Sequence, residues 1–534
     1  MSRMLRKQRN GRIEKHPVLE FDRSKKVTIY FNGKPITAYE GETIAASLYA
    51  AGIKIFSRSL KFHRPRGFFC AIGKCASCMM RVDGRPNVKT CTEYVNEGMK
   101  IETQTGFPNA NFDILSIIDY IYKKKFDYNR MFIRPAFMAS LYQKIVRKFA
   151  GIGRLEDKDT PAKPIKKSEI LETDVAIVGG GPAGLSAAIY AARSGAKVIV
   201  IDENKKLGGQ LIKQTHRFFG SKEYYAGERG IYIAEILINE TKSLQNITIL
   251  DGATVFGVYP NKVLGIVKDN GLIEIKPKTL IFATGATEKT LIFENWDLPG
   301  VYGAGGVQTL MNVYGVLPGK RGLMLGSGNV GVIVTYHLLQ AGVEVAAVVD
   351  PLPKIGGYAV HAAIVSRFGV PFLPSHMVKR ALGRKYVTGA IVCKLDEKWN
   401  PIEGSERVID CDFICIATGL KPANELLFQA GCKMKYIPEL GGYVPLRTKY
   451  QETSVSGIFV VGDTAGIEEA SSAMLTGRIA GLSAAISLGY GPEKEQKLRK
   501  LREDNYRSLC ELRNGHFGER IRKVEEKILL ENYI

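Results

Sequence analysis

The first pattern along the chain is a pair of short segments in which apolar and polar positions alternate. Residues 27–31 and 36–39 are rich in β-branched and aromatic side chains, and Asn32-Gly33 between them is typical of a two-residue hairpin turn. Residues 42–51 then have the spacing of a helix, and Gly52 is suited to end it. The pattern therefore predicts a small domain that starts with a hairpin and a helix.

The pattern changes after this first domain. Apolar positions recur at helical spacing over residues 111–150, and residues 154–169 are polar with two prolines, so we expect a helical connector and an exposed linker within 106–170. From there to about residue 485, strand and helix patterns alternate with glycine-rich turns, which predicts an α/β fold built from βαβ units. Residues 486–534 are charged and are predicted to form a helical tail.

Four cysteines lie within a short stretch of the first domain, with the spacing C-x4-C-x2-C-x12-C. The first three match the plant-type 2Fe-2S loop, and the fourth follows after a shorter gap than in plant ferredoxins. Gly73 lets the loop turn so that backbone amides approach the sulphurs. We predict a 2Fe-2S cluster in a β-grasp ferredoxin-like domain at 27–105, with zinc or unligated buried thiols as alternatives. The predicted ligands are Cys70, Cys75, Cys78 and Cys91.

A first glycine-rich turn follows the buried strand that starts at Asp174. It has the pattern G-x-G-x-x-G, it precedes a helix, and a second strand, 198–201, ends in an acidic residue that is placed to bind an adenosine ribose. The glycines would let the backbone approach a pyrophosphate, whose charge is met by the helix N-terminus. The residues predicted to bind this dinucleotide are Gly179, Gly181, Pro182, Ala183, Gly184, Asp202 and Glu203. FAD, NAD and ATP all offer the adenosine diphosphate group that this loop would bind.

The same layout recurs after the strand at 322–325. An acid at the end of the second strand of this unit would repel a 2′-phosphate, which favours NAD over NADP. The alternative is a nucleotide fold whose cleft stays empty. The residues predicted to bind here are Gly326, Gly328, Asn329, Gly331 and Asp350, in a second, NAD-like dinucleotide-binding domain at 301–415.

Two further strands end in Ala-Thr-Gly, at Gly285 and at Gly419, and Gly462-Asp463 precedes a small-residue helix from about 470 to 485. Together with two glycine-rich turns, this order resembles flavoproteins with two dinucleotide-binding domains of Rossmann-like fold. The resemblance implies that the Asp463 carboxylate binds the ribityl chain of FAD, in a domain made of 171–300 and 416–485. It extends the set of predicted FAD-binding residues by Gly209, Gln210, Thr284, Gly285, Gly462 and Asp463.

The charge of the chain is positive, and many of its basic residues lie in an N-terminal segment. Its 75 Lys and Arg exceed its 53 Asp and Glu by 22, and nine of the basic residues lie within residues 1–26. We expect this segment to be a solvated basic arm, with partner docking as the alternative. The sequence shows no nucleic-acid-binding motif, no secretory h-region and no transmembrane segment. Its nine cysteines are too sparse for a disulfide framework. A cytoplasmic protein is therefore expected.

Two longer motifs narrow the resemblance. The first motif, ahead of the cysteines, is Leu60-Lys-Phe-His-Arg-Pro-Arg-Gly67, and the second is Gly208-Gly-Gln-Leu-Ile-Lys-Gln-Thr-His216. Both resemble motifs in the α subunits of heteromeric sarcosine oxidase, dye-linked L-proline and hydroxyproline dehydrogenases and opine oxidases. The resemblance implies a catalytic β subunit with its own FAD that oxidises a secondary or N-substituted amino acid. It also implies FMN at a subunit interface, small additional subunits, and a downstream electron acceptor.

Several alternatives remain at the level of the sequence. A stand-alone NADH-dependent flavin and 2Fe-2S reductase is the main one, and a non-catalytic nucleotide-binding scaffold is another. Thioredoxin reductase activity would need a C-x-x-C pair, which residues 318–415 lack. Because the sequence ends at Ile534 without an aminomethyltransferase-like extension, a tetrahydrofolate-coupled reaction is not expected. His63 and His216 are weak catalytic candidates, and a structural role is the alternative for both.

Overall fold

A computed structural model of the chain describes residues 11–122, 140, 166–218, 222–491, 495–515 and 518–530. The chain divides into two compact units. The first consists of Met1–Pro161 and Thr290–Thr418, and the second consists of Ala162–Lys289 and Gly419–Ile534. None of the helices in the described part of the chain combines the length and apolar character that a bilayer crossing needs.

The first unit begins with a five-stranded sheet on which one helix packs. The strands run in the order β2-β1-β7-β5-β6, and β1 and β2 form the antiparallel hairpin that Asn32-Gly33 predicts. The helix starts at the N-cap Thr43, whose side chain accepts a hydrogen bond from the Ala46 amide, and every residue of the helix is buried. The elements are β1 Lys26–Phe31, β2 Lys34–Tyr39, α1 Ile44–Ala50, β3 Ser57–Arg58, β4 Pro65–Arg66, β5 Met79–Val82, β6 Arg85–Lys89, β7 Lys100–Glu102 and α2 Ile117–Tyr122.

The second unit begins with a long strand that forms the centre of a seven-stranded sheet. Six strands have the order β10-β9-β8-β13-β12-β11, and β8, β9 and β10 pair in parallel, as βαβ units require. The elements are β8 Lys166–Val178, α3 Pro182–Arg193, β9 Val198–Ile201, α4 Gly230–Ser243, β10 Ile247–Leu250, β11 Thr254–Val258, β12 Leu264–Lys268, β13 Gly271–Phe282 and β14 Ala286–Glu288.

The chain then returns to the first unit and forms a parallel five-stranded sheet in the order β15-β22-β16-β17-β18, with β19, β20 and β21 as a separate antiparallel sheet. The elements are β15 Val301–Gly303, α5 Ala304–Gln308, β16 Arg321–Leu325, α6 Asn329–Gln340, β17 Glu344–Val349, α7 Ala359–Arg367, β18 Phe372–Leu373, β19 His376–Leu382, β20 Gly389–Lys394, β21 Arg407–Ile409 and β22 Phe413–Ile416.

The last segment completes the second unit. One of its strands, β26, pairs in parallel with β13 and becomes the seventh strand of the large sheet. The elements are β23 Leu420–Pro422, α8 Glu425–Gln429, β24 Met434–Ile437, β25 Gly442–Pro445, β26 Ile458–Val460, α9 Ala470–Ser487, α10 Glu495–Arg513 and α11 Glu519–Arg522.

Two expectations need correction. The linker predicted at 154–169 ends earlier, because β8 begins at Lys166 and pairs through its backbone with the start of β13. The predicted solvated basic arm is wrong at Arg12 and Ile13, which are buried, and Arg12 forms a bidentate ion pair with Glu42. Lys15, Lys25 and Lys26 are exposed, as predicted. Residues 1–10, and most of the predicted helical connector, lie outside the described residues.

Candidate cofactor sites

The four cysteines with ferredoxin-like spacing lie together in the first unit. The Sγ atoms of Cys70 and Cys75 are 3.4 Å apart, and Cys91 forms hydrogen bonds with both Cys70 and Cys78. These contacts connect all four thiols, and three of them are buried while Cys75 is half-buried. Four converging thiols are the donor set that a 2Fe-2S cluster requires.

Backbone amides surround these sulphurs. Cys75 N donates to the Sγ of Cys70 at 3.5 Å, and the Ser77 and Cys91 amides donate to the Sγ atoms of Cys75 and Cys78. Hydrogen bonds between neighbouring thiols lower the pKa of Cys70 and of Cys78 and raise the pKa of Cys75 and of Cys91, so the first two are the thiols that lose a proton first. Such amide donors also set the reduction potential of a bound cluster.

The contacts among the four thiols are pairwise. Cys70 with Cys75 and Cys78 with Cys91 follow the two halves of the motif, and a third contact, between Cys70 and Cys91, joins the halves. Pairs of thiols suit a cluster in which each of two irons has two cysteine ligands.

The first glycine-rich turn joins β8 to α3 in the second unit. A Cβ at Gly179, whose φ is +110°, would lie 2.2 Å from the Ala283 carbonyl oxygen, and a Cβ at Gly184 would lie 1.8 Å from the Gly179 oxygen. A Cβ at Gly181 would meet no atom closer than 3.8 Å. The outer glycines therefore allow the turn to pack, whereas Gly181 leaves the space that a pyrophosphate needs above the N-terminus of α3.

The acid after β9 holds this turn in place. The Asp202 carboxylate accepts hydrogen bonds from the Gly180 amide at 2.7 Å and from the amide of Asn204 at 2.7 Å. Asp202 is buried, and burial raises its pKa. Its contact with a ribose stays a prediction, whereas its contact with the turn is direct. Glu203, the next predicted residue, is exposed.

The Gly462-Asp463 turn follows β26 in the same unit. The half-buried Asp463 carboxylate accepts a hydrogen bond from the Glu468 amide at 3.1 Å, and burial raises its pKa to about 6. Thr464 Oγ1 accepts a hydrogen bond from the Gly285 amide at 2.7 Å, which joins the turn to the Ala-Thr-Gly segment after β13. A Cβ at Gly209 would lie 2.8 Å from the Cα of Gly181.

These contacts bring several predicted FAD-binding residues into one region of the second unit. The turns at Gly179 and at Gly209 adjoin, and the Gly285 and Asp463 turns are joined through Thr464. FAD, when bound, would supply hydride-accepting chemistry, and the glycine turn and the Asp463 carboxylate are the groups that would hold its pyrophosphate and ribityl parts. His216 is buried and stacks on Phe218 in this unit.

The second glycine-rich turn, in the first unit, repeats the geometry. A Cβ at Gly326 would lie 2.3 Å from the Ala417 carbonyl oxygen, and one at Gly331 would lie 2.0 Å from the Gly326 oxygen, but one at Gly328 would meet nothing within 4 Å. The Asp350 carboxylate accepts a hydrogen bond from the Ser327 amide at 2.5 Å. Asn329 Oδ1 accepts one from the Tyr358 amide at 2.9 Å. This turn therefore leaves room for a dinucleotide as well.

His63 has a partner that the sequence did not indicate. Its Nδ1 lies 2.8 Å from the Oδ2 of Asp113, and both side chains are buried. The Asp113 carboxylate also accepts hydrogen bonds from the Phe107 and Leu115 amides, at 2.9 and 3.1 Å. His63 is one of the non-glycine residues with positive φ, at 54°. The paired carboxylate and the backbone bonds favour a structural role for His63.

Sequence reasoning missed three further residues of these sites. Thr464 directly follows the Gly462-Asp463 motif, so the motif could have indicated it. Glu468, whose carboxylate forms a bidentate ion pair with Arg513, lies behind the Asp463 turn. No local signal marks this pair, because the two residues are 45 positions apart.

Comparison with known proteins adds the following findings. Residues 173–477 match the family described as pyridine nucleotide-disulphide oxidoreductase, and residues 24–106 match the 2Fe-2S iron-sulfur cluster binding domain. The fold class and the resemblance predicted from the sequence are thereby confirmed, as are the 2Fe-2S cluster and FAD as cofactors. The predicted ligand residues themselves stay predictions.

Three individual proteins are similar to this chain. The sarcosine oxidase α subunit of Rhizobium meliloti is 31% identical over 63% of the chain, and one of the subunits of opine oxidase from Agrobacterium tumefaciens is 28% identical over 59%. The chain spans 35% and 66% of their lengths. The crystal structure of L-proline dehydrogenase from P. horikoshii is 25% identical, with a TM-score of 0.62 that covers 91% of this chain and 79% of that one.

Proposed function

Because this chain belongs to the pyridine nucleotide-disulphide oxidoreductase family and is similar to subunits of sarcosine and opine oxidases, we propose that it is the electron-transferring α subunit of a heteromeric amino acid dehydrogenase or oxidase. The substrate is a secondary or N-substituted amino acid of the proline, hydroxyproline, sarcosine or opine type. A partner flavoprotein oxidises it, and this chain receives the electrons through flavin and passes them on through its 2Fe-2S cluster. FMN at the subunit interface and small additional subunits belong to the same proposal.

The proposal rests on the combination of cofactor sites in a chain that is similar to proline dehydrogenase. The chain matches the proline dehydrogenase structure over 91% of its length, and it combines two glycine turns with room for a dinucleotide and four connected thiols. A flavin accepts two electrons as a hydride and can release them singly, which is the only way a one-electron cluster accepts them. A chain built from these two kinds of site is suited to electron transfer.

The chain's own residues would do the binding. The turns at Gly181 and Gly328 present backbone amides at helix N-termini to phosphate groups, and the Asp463 carboxylate accepts hydrogen bonds from hydroxyls. The thiolates of Cys70 and Cys78, with their hydrogen-bonded neighbours, bind iron. We also propose the cytoplasm as the compartment, because such thiols need reducing conditions.

A specific observation favours a second candidate, a stand-alone NADH-dependent reductase. The outer glycines of the second turn pack against backbone as closely as those of the first turn do. Gly328, in the middle of the turn, leaves free the space that a nucleotide would occupy. Asp350 lies at the end of β17, and an acidic residue at this position suits NADH rather than NADPH. In that case NADH would reduce the flavin within this chain without help from a partner.

The two candidates differ in partner and electron donor. We suggest isolating the affinity-tagged full chain from its own cells, identifying its subunits and extracted nucleotides by mass spectrometry, and measuring iron and acid-labile sulphide. The isolated material is then mixed rapidly with L-proline, hydroxyproline, sarcosine, an opine or NADH, and flavin absorbance is followed. The α-subunit proposal expects a second flavoprotein in the complex, together with bleaching by one of the amino acids. Isolation of the chain alone, with bleaching by NADH only, would overturn it.

A further inference from the structure

A cavity of about 180 Å³ lies in the β-grasp domain beside the cysteine loop. Its lining includes Arg58 and Arg66, and Ala76 and Ser77 from the segment between the second and third cysteines. Of the described residues that line it, none is Asp or Glu. A cavity lined by two arginines and no acidic residue has a chemistry that suits an anion.

Arg58 is the more deeply buried of the two arginines, with 6% of its side chain exposed. Its Nε donates to the Ala110 carbonyl at 2.7 Å and its Nη1 to the His63 carbonyl at 2.9 Å. Within the described residues, its Nη2 has no hydrogen-bond acceptor. The nearest carboxylate, Asp113, is 3.9 Å from Nε and already bonds His63. A guanidinium with an unused donor beside a cavity is suited to bind an anion.

Arg66 adds a second unused donor set. Its Nη1 pairs with the Asp297 carboxylate, whereas its Nε and Nη2 have no acceptor in the part of the chain that the structure describes. Asp297 also pairs with Arg64, at 3.2 Å from its Nη1. Asp297 therefore serves two guanidinium groups, and Arg64 has a further carboxylate partner, Asp119, at 3.5 Å from its Nε. Arg66 keeps two donors that no carboxylate among the described residues accepts.

The hydroxyl groups of Thr105 and Ser59 are two further hydrogen-bond donors beside the cavity. Thr105 Oγ1 accepts a hydrogen bond from the Arg58 amide at 2.7 Å, and Ser59 Oγ accepts one from the Arg64 amide at 3.0 Å. Neither hydroxyl donates to an acceptor among the described residues, and both line the cavity. The residues that line the cavity thus offer guanidinium and hydroxyl donors but no carboxylate acceptor.

We propose that this cavity binds a small oxyanion, a carboxylate or phosphate group, and that the bound anion lowers the reduction potential of the 2Fe-2S cluster. The cavity wall is joined to the cluster site, since Ser57 Oγ donates to the Ser77 carbonyl at 2.7 Å and Ser77 lies between the predicted ligands Cys75 and Cys78 in the chain. Reduction adds negative charge to the cluster, and a nearby anion opposes this addition.

The test uses the full chain with its cluster and flavin in place. Phosphate and acetate are titrated separately at constant ionic strength, which is held with sodium chloride. Binding is measured by calorimetry, and the midpoint potential of the cluster by redox titration followed by electron paramagnetic resonance. We expect saturable binding of at least one of the two anions and a saturable shift of the potential to more negative values. The anion that binds more tightly identifies the source as a phosphate or a carboxylate.

Arg66→Met and Arg58→Met are the test variants, and Arg85→Met is the matched control. Arg85 lies on β6 outside the cavity and, like Arg66, is about a quarter exposed with one carboxylate partner, Glu93. We expect at least tenfold weaker anion binding in both test variants and unchanged binding in the control. If Arg58→Met fails to retain its cluster spectrum, Arg66→Met decides. Absence of a saturable shift in the unmodified chain, or equal binding by Arg66→Met and Arg85→Met, overturns the proposal.

Discussion

Gly181 is the residue whose substitution separates cofactor binding from folding. Because a Cβ there would meet nothing closer than 3.8 Å, Gly181→Ala should fold, but its methyl group would occupy the space that the pyrophosphate needs. We expect at least tenfold weaker FAD binding and an unfolding temperature within a few degrees of the unmodified chain. Flavin absorbance per protein and thermal unfolding of the apoprotein measure the two effects.

The control for this experiment is the equivalent glycine of the second turn. Gly328→Ala should also fold, since its Cβ would meet nothing within 4 Å, and it should retain FAD. Gly179→Ala, by contrast, should destabilise the chain by about 1–3 kcal/mol or more, because its φ is +110° and its Cβ meets the Ala283 oxygen at 2.2 Å. Full flavin retention by Gly181→Ala would contradict the assignment of FAD to the first turn.

Asp463 makes the stability of the apoprotein depend on pH. Burial raises its pKa from 3.8 to about 6, so the folded apoprotein favours the neutral carboxyl. Its contribution is fully present below pH 3.8 and is lost as the pH rises through 6. We expect the unmodified apoprotein to lose up to about 3 kcal/mol relative to Asp463→Asn between these values. Denaturant unfolding of both proteins at several pH values measures this difference, and parallel curves would contradict it.

The acids at the ends of β9 and β17 show how far sequence patterns reach at the scale of single residues. The pattern put Asp202 and Asp350 at the ends of strands and assigned them only a ligand contact, which stays a prediction. In the structure each carboxylate accepts a hydrogen bond from the turn itself, at Gly180 or Ser327. Such a bond needs the three-dimensional approach of strand and turn, which residue spacing does not describe.

At the scale of an element, the helix α10 packs behind the predicted flavin site through Arg513. Arg513, near its end, pairs with Glu468 and Glu525, and only 4% of its side chain is exposed. Arg513→Ala would leave the Glu468 carboxylate buried beside the Asp463 turn, so we expect a loss of about 3–5 kcal/mol of stability and weaker FAD retention. Arg499→Ala on the same helix removes an exposed pair with Glu495 and should cost less than about 0.5 kcal/mol. Similar losses in both variants, measured by denaturant unfolding, would contradict this role.

Elements with strong local signals were predicted best. The hairpin around Asn32-Gly33 and the strand 198–201 match the structure, because turn chemistry and a short apolar run are local properties. The start of β8 was predicted as linker, since residues 166–169 are polar and enter the sheet only through backbone pairing with β13. The burial of Arg12 depends on Glu42, which is 30 residues away, so charge counting predicted a solvated segment there.

At the scale of the whole molecule, the motifs of the sequence are distributed over two compact units. The predicted FAD-binding residues lie in the second unit, and the cysteines and the second glycine turn lie in the first. The order of motifs along the chain predicted both kinds of site. It could not predict that the β-grasp domain and the second dinucleotide fold share one hydrophobic core, which includes Phe56, Tyr302 and Phe413.

This division predicts that each cofactor stabilises its own unit. A ligand that binds only the folded state raises the unfolding free energy of the unit that holds it. We expect calorimetry to show two unfolding transitions. Removal of FAD should lower the midpoint temperature of one transition by several degrees. Cys78→Ser, which removes a predicted cluster ligand, should lower the midpoint temperature of the other. Cys393→Ser, a buried thiol outside the cluster motif, tests whether loss of a buried sulphur alone has this effect. A single transition that both changes shift equally would mean that the two units unfold together and that the division has no thermodynamic meaning.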